Sequence, residues 1–507
     1  MAFQRASGVL LHPTSLPSQF GIGDLGKAAY EFVDFLANSG QTLWQVLPLG
    51  PTGYEHSPYI MNFSTFAGNP LLIDLEQLVS DGLLEANELT PIADDNLDQV
   101  NFDRVISHKM HLLKLAYDRF QKARSSEQTT SGQTTQFTQF LQEQTSWLDD
   151  FTLFMALLEA NGGKSWHQWE TAIARRDPDA IKAQKEALQD SIQFHQFLQF
   201  IFFEQWRKLR QYANSKNIKI IGDISIYVCH NSSDVWAAPD LFKLDPNTFE
   251  PAFIAGVPPD YFSATGQLWG NPVYNWEQAQ KTNFAWWIKR FQVTLQYVDI
   301  VRVDHFRGFE AYWQVPAGEE TAINGKWIQA PGEQFFEALG KALGTLPILA
   351  EDLGIITPEV EALRDRFDFP GMRILMFAFG DDPGNAYLPH NYVRNTVVYP
   401  GTHDNDTVIG WWQQASEAEK QFLAKYFGYT SPDDIPDINW LLIRTALASV
   451  ADLAIIPLQD LLDLDGRARM NDPSHNDGNW RWRYRSSEQL TQTLSDRLLA
   501  LTQLYSR

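Results

Sequence analysis

Residues 298–308, VDIVRVDHFRG, decide how the chain is read. Val298-Asp299-Ile300-Val301 is an apolar, β-branched run that reads as a buried strand, and four ionisable groups, Arg302, Asp304, His305 and Arg307, crowd its exit. Packing gives a core strand no reason to end this way, because every buried charge must be desolvated and partnered. The rim of an active site does have a reason. Arg302 and Asp304 stand two positions apart and share one face of a strand, where the guanidinium keeps the carboxylate ionised and oriented, as a nucleophile requires. A structural ion pair capping the strand is the alternative reading of the same residues.

Working outward, the same motif of an apolar run with a polar exit recurs along the chain. GVLLHPTSL (8–16) and TLWQVLPLG (42–50) flank a stretch, Ala28 to Asn38, whose apolar residues Ala29, Phe32, Val33 and Leu36 have helical spacing. That is a β-α-β unit, which favours a parallel sheet. IKIIGDIS (218–225), VDIVRVD (298–304), LPILAED (346–352), MRILMFAF (372–379), NTVVYPGTHD (395–404) and ADLAIIPLQD (451–460) follow. The total of eight predicts a (β/α)8 TIM barrel with large, mainly helical insertions over its C-terminal face, where the active site of such folds lies. The expected organisation is a single catalytic domain over 1–507, with a mainly helical insertion at 75–215 and a loop-rich insertion at 226–297 covering the site. Within the first, the helix from Ile192 to Ser215 carries an apolar stripe read as core packing, and the Ser/Thr/Gln-rich stretch 124–139 reads as a surface loop.

Composition narrows the function. The apolar fraction is 44% and the charged fraction 20%, ordinary for a globular protein, whereas aromatics reach 13%, with 17 Trp suited to stacking on sugar faces as well as to the core. Forty basic residues against 62 acidic ones give a net charge of −22, which repels phosphate backbones and anionic membranes, so neither nucleic acid nor a membrane is an expected partner. A single cysteine, Cys229, and the lack of a signal peptide or an 18-residue apolar run point to the cytoplasm.

Three carboxylates lie at the exits of separate predicted strands: Asp304, Glu351 in AEDLG and Asp404 in GTHDN. Converging over a barrel mouth, two of them could cleave a glycosidic bond with retention, one as nucleophile and one as general acid and base, while the third steadies the charged transition state. Glu351 would need a raised pKa, which its acidic neighbours can supply, and His305 and His403 could donate to sugar hydroxyls. The competing readings are carboxylates at helix N-termini and turns, and metal ligation by the HDND turn. No HxxxH or Cys-rich spacing supports zinc, no GxSxG supports a serine nucleophile, and neither a metal nor a cofactor is expected. GIGDLGKA (21–28) fits GxGxxG but lacks the context of a nucleotide site and reads as a loop entering a helix.

The motifs GVLLHPTSLPS, GIGDLG, LPLGPTGY, SPY, FAGNP, IGDISIYV, DVW, AGVPPDYFSATGQLWGNP, VRVDHFRGFE, AEDLG, GMRILMFAF, GTHDND and GNWRWR run in order through nearly the entire chain. In this order they resemble the 4-α-glucanotransferases called amylomaltases or disproportionating enzymes, distant relatives of the α-amylases. The resemblance implies Asp304 as nucleophile, Glu351 as acid/base and Asp404 as transition-state stabiliser. It implies that Tyr59, Asp260, Arg302 and His403 grip the sugar at the cleavage point, with Asp223 lining the site from a strand exit. Tyr261 and Phe262 resemble an aromatic clamp on the acceptor side, with Trp269 and Asn271 close behind; Ser57 and Asn471 complete the implied substrate-binding set. The chain departs from the family pattern at Gly53-Tyr54-Glu55-His56-Ser57-Pro58-Tyr59, usually GYGDSPY, and at Met470-Asn471-Asp472-Pro473-Ser474-His475, usually MNxPGT. Both changes fall in loops and bear on outer sugar sites and on Asn471 rather than on the three carboxylates.

Three functions stand side by side at this point. A transferase of α-1,4-glucan segments, acting on maltooligosaccharides and amylose as donor and acceptor, is the expectation. An α-glucan hydrolase would use the same carboxylates, and a non-catalytic glucan-binding protein would need one of them missing.

Overall fold

The computed structural model describes residues 3–507 apart from 54–55, 60–61, 93–95, 126–131, 260–262, 381 and 476. Eight strands, β1 (Ala6–Leu10), β2 (Leu43–Gln45), β3 (Lys219–Ile224), β4 (Ile300–Val303), β5 (Ile348–Ala350), β6 (Gly371–Ile374), β7 (Thr396–Tyr399) and β8 (Leu453–Pro457), close into a barrel. Every neighbouring pair is parallel, and β8 closes on β1 with Ala6 opposite Leu453 and Leu10 opposite Pro457. This is the expected (β/α)8 barrel. Its strands read as unbroken apolar runs because both faces are buried, one in the barrel interior and one beneath the helices. Gly8 lets β1 and β2 come close together: a Cβ there would lie 2.2 Å from the Leu43 carbonyl oxygen.

Each of the eight expected strands is present, several shorter than the apolar run that signalled it. MRILMFAF is strand only to Ile374; Leu375–Phe377 turn in a 3-10 helix while the Met376 N–H donates to the Pro400 carbonyl. Barrel pairing ends there, and the rest of the run serves the layer above the strand ends. The first helix, Lys27–Asn38, buries Ala29, Phe32, Val33 and Leu36, and GIGDLGKA is the loop that enters it.

Between β2 and β3 the chain is helical, with long helices at Phe102–Ser125, Gly132–Ala160 and Gln189–Ser215. They lock through aromatic contacts, Phe120 with Phe137 at 5.2 Å, Phe120 with Phe197 at 5.1 Å and Phe137 with Phe200 at 5.4 Å between ring centroids. The surface loop expected at 124–139 is corrected by this packing. Residues 124–125 end one helix and 132–139 begin the next, because buried Phe137 anchors polar, helix-tolerant residues to neighbours that supply the apolar surface.

A second sheet stands outside the barrel. Its four antiparallel strands, in the order Gln267–Pro272, Phe253–Val257, Ala311–Pro316 and Lys326–Gln329, come from both sides of β4 in the sequence. The β3–β4 and β4–β5 connections are thereby fastened together beside the exit that carries Asp304. Among the described residues no helix is long and apolar enough to cross a membrane.

Candidate active site

Asp304 follows β4 directly, and its neighbour two positions back on the same strand face holds it: Arg302 Nη2 lies 3.1 Å from Asp304 Oδ1. The other arm of the guanidinium reaches β3, where Arg302 Nη1 donates to Asp223 Oδ2 at 2.6 Å. Tyr59 donates its hydroxyl to the same Asp223 oxygen at 2.8 Å. Burial works against the Arg302 cation, but Asp223 and Asp304 on either side hold it firmly protonated. Burial pushes Asp304 up to about 7, with the negative charges of Asp223 and Asp404 adding to the rise and Arg302 opposing it.

Glu351 is the residue after β5 and sits beneath two backbone donors, the His305 N–H at 2.6 Å from Oε2 and the Leu353 N–H at 2.9 Å from Oε1. The first exists because His305 adopts a left-handed conformation, φ 47°, which turns its amide toward the neighbouring strand exit. A non-glycine residue there costs on the order of 1–2 kcal/mol, so local strain supports the placement of this carboxyl. Burial pushes Glu351 up to about 8; Arg302 and the two backbone donors resist, and the Asp304 charge adds to the rise. The guanidinium thus favours ionisation of Asp304, and the Asp304 charge favours the protonated form of Glu351.

Asp404 arrives on the turn after β7. Its Oδ1 accepts from Asn471 Nδ2 at 2.6 Å and lies 3.4 Å from His403 Nε2. Burial favours the neutral form of the His403 ring, against the pull of Asp404. It stacks on Tyr59, with centroids 5.1 Å apart and planes at 5°, and Trp480 leans on both rings at 5.8 and 5.9 Å. Arg469 fastens the late loop to this turn, donating to the carbonyls of Asp404 and Asn471 at 2.7 and 2.8 Å. The altered loop at 470–475 thus still delivers Asn471 to Asp404.

The remaining expected residues divide. His305 meets the edge of Trp269 at 4.9 Å, and burial lowers its pKa to about 3, so both are poised as neutral walls. Ser57 Oγ accepts the Tyr59 N–H at 3.3 Å, shaping the turn that presents Tyr59. Asn271 is buried and gives its amide to the Val228 carbonyl at 2.9 Å, which ties the outer sheet to the β3 exit. Asp260, Tyr261 and Phe262 lie outside the described residues. Trp480, Arg469 and His12 were not singled out in the sequence. His12, at the exit of β1, is kept neutral by burial with His403 nearby, its pKa lowered to about 3, and its polar position after an apolar run was the available signal. Trp480 lies in GNWRWR, where nothing local distinguishes a site tryptophan from a core one. No group of three or more His, Cys, Asp or Glu side chains spaced to hold a metal ion occurs among the described residues.

The site therefore gathers the carboxyl groups of Asp304, Glu351 and Asp404 near the aromatic rings of Tyr59, His403 and Trp480. Comparison with known proteins agrees. The family model described as 4-alpha-glucanotransferase matches residues 11–490. The chain is 54% identical over its whole length to a 4-alpha-glucanotransferase of Synechocystis, covering 99% of it, and 46% identical over 95% of its length to that of Thermus thermophilus, again covering 95%. The solved amylomaltase of Streptococcus agalactiae, in complex with acarbose, superposes with a TM-score of 0.93 at 40% identity, over 99% of this chain and all of that one. On this fold, this site and these likenesses, the chain belongs to the 4-alpha-glucanotransferase family.

Proposed function

We propose that the chain moves α-1,4-linked glucan segments between maltodextrins by retaining double displacement through a covalent glucosyl ester on Asp304. The observation that carries this reading is the pair of carboxyls at neighbouring strand exits, Asp304 held by Arg302 at 3.1 Å and Glu351 held by the amides of His305 and Leu353. In the first half, Asp304 forms a bond to the anomeric carbon as the C1–O4 bond breaks, and the Glu351 proton passes to the departing O4. In the second half, the acceptor's 4-hydroxyl gives its proton to the Glu351 carboxylate and attacks C1, releasing Asp304. Asp404, fixed by Asn471, faces the positive charge that develops on the ring. Tyr59, His403 and Trp480 supply the aromatic surface, and Arg302 and Asp223 supply the polar grip. That the S. agalactiae amylomaltase binds acarbose accords with a saccharide ligand here. The chain acts as one catalytic domain, since the barrel closes only when β1 pairs with β8; the helical stretch 75–215 and the stretch 226–297 are insertions within it.

Maltotriose separates transfer from hydrolysis. Each bond broken in transfer is replaced by a similar one, so the expected products are glucose and longer maltodextrins with almost no net gain of reducing ends. Acceptor positioning worth up to about 7–11 kcal/mol in effective concentration lets sugar outcompete water. Reducing ends that climb in step with bond cleavage would instead identify a hydrolase.

A further inference from the structure

The chain of contacts behind Asp304 uses only one oxygen of Asp223. Oδ2 receives Tyr59 and Arg302, while Oδ1 is buried without a hydrogen-bond partner. Asp223 forms part of the wall of a cavity of about 30 Å³, which is also bounded by Gly50, Asn62, Ser225, Arg290 and Tyr297. Arg290 projects from the helix Ala285–Tyr297, is only 3% exposed, and gives Nη2 to the Ser225 carbonyl at 2.6 Å. Its Nε is likewise buried without a partner. The residues that carry an orphaned acceptor and an orphaned donor thus line one cavity, with Asn62, Thr65 and Ser225 among its other polar residues. A buried water needs roughly 10–15 Å³ and two or more polar partners, and buried polar groups are almost always satisfied.

We propose that this cavity holds one or two ordered waters bridging Arg290 Nε to Asp223 Oδ1, which makes Arg290 a positioning residue for the reaction. The inference rests on Asp304 being the nucleophile. A carboxylate with one unsatisfied oxygen in a low-dielectric interior is poorly fixed, and Asp223 is the partner that aims Arg302. Through water, Arg290 supplies the missing hydrogen bond and an offsetting positive charge, and so steadies Arg302 and Asp304 from behind. Tyr274, Asp234 and Tyr297 also face Arg290; Tyr274 gives its hydroxyl to the Ile226 carbonyl at 2.8 Å, Asp234 is engaged by the amide and hydroxyl of Thr65 at 2.9 and 3.1 Å, and none of the three hydrogen-bonds Nε. The bridge gives the Arg290 Nε–H an outlet.

The test measures how fast α-glucosyl fluoride, a donor that needs no acid, labels Asp304 in a Glu351→Gln background, with and without Arg290→Met or Arg290→Lys. Labelling is expected to slow about tenfold with Met and to recover in large part with Lys, at little change in the donor concentration needed for half-maximal rate. Equal rates in the Met variant and its parent overturn the positioning role. Absence of label on Asp304 in the parent overturns the nucleophile reading itself, and this inference with it. A high-resolution crystal structure of the unaltered protein gives a check that needs no variant to fold. Water within hydrogen-bond reach of both Asp223 Oδ1 and Arg290 Nε is expected, and a dry cavity overturns the proposal.

Discussion

The barrel mouth and the helical layer between β2 and β3 are both buried, yet they are built on opposite terms. In the helical layer Phe120, Phe137, Phe197 and Phe200 meet ring to ring, and interchangeable apolar contacts share the work. At the mouth, Asp223, Arg302, Asp304 and Glu351 are crowded together, two acids are pushed above their ordinary range, and His305 holds a left-handed backbone. The first arrangement lowers free energy wherever it occurs. The second raises it locally and persists because eight paired strands over-determine the positions.

The contrast is broken most sharply by Asp304→Asn. Activity is expected to fall by more than about 10³-fold, since the amide can neither form the ester nor offset the oxocarbenium charge. Thermal unfolding should show no loss of stability, because a buried like charge has been removed. A variant keeping a tenth of the activity would place the nucleophile elsewhere. Phe197→Ala should do the reverse. Phe197 is fully buried, and its truncation should cost about 3–5 kcal/mol in denaturant unfolding while leaving turnover per folded molecule unchanged.

A smaller effect comes from pH. The proposed mechanism needs Asp304 ionised and Glu351 protonated, so turnover should fall below about 7 on the acid side and above about 8 on the alkaline side. Stability moves differently. Both folded values lie above the unfolded carboxylate range near ~4, so the folded state holds more protons between, and this pair's contribution is present at low pH and lost as pH rises through about 8. Melting curves of Asp304→Asn and its parent should therefore diverge in favour of the variant toward pH 8; divergence toward pH 5 would contradict the assigned shifts. The smallest expected effect is that of exhaustive chelation, which should leave activity intact because the proposed mechanism uses carboxylates alone. Loss on chelation, restored by calcium, would move the HDND turn at 403–406 to a metal site.

Much of this was legible before any coordinates. Strand positions follow from runs of β-branched and apolar residues, and the pairing of Arg302 with Asp304 follows from a period of two, both of which are local properties of the chain. The carboxylates at 304, 351 and 404 stood out because polar residues interrupt an apolar run only where a strand leaves the core. The stretch 132–139 was misread for the complementary reason: its helix is stabilised by rings from other helices, and a polar, low-complexity string carries no trace of them.

By itself, then, the sequence determined the eightfold alternation, the chemistry available at each strand exit and a net charge of −22. Tertiary structure alone decided which groups meet. The reach of Arg302 to Asp223, the His305 amide under Glu351, the delivery of Asn471 to Asp404 and the stack of Tyr59 on His403 all join segments far apart in the chain. Such contacts depend on barrel register and loop closure, and no local spacing encodes them. The same holds for acidity: Glu351 is an ordinary glutamate in the sequence, and only burial beside Asp304 makes it an acid near neutral pH.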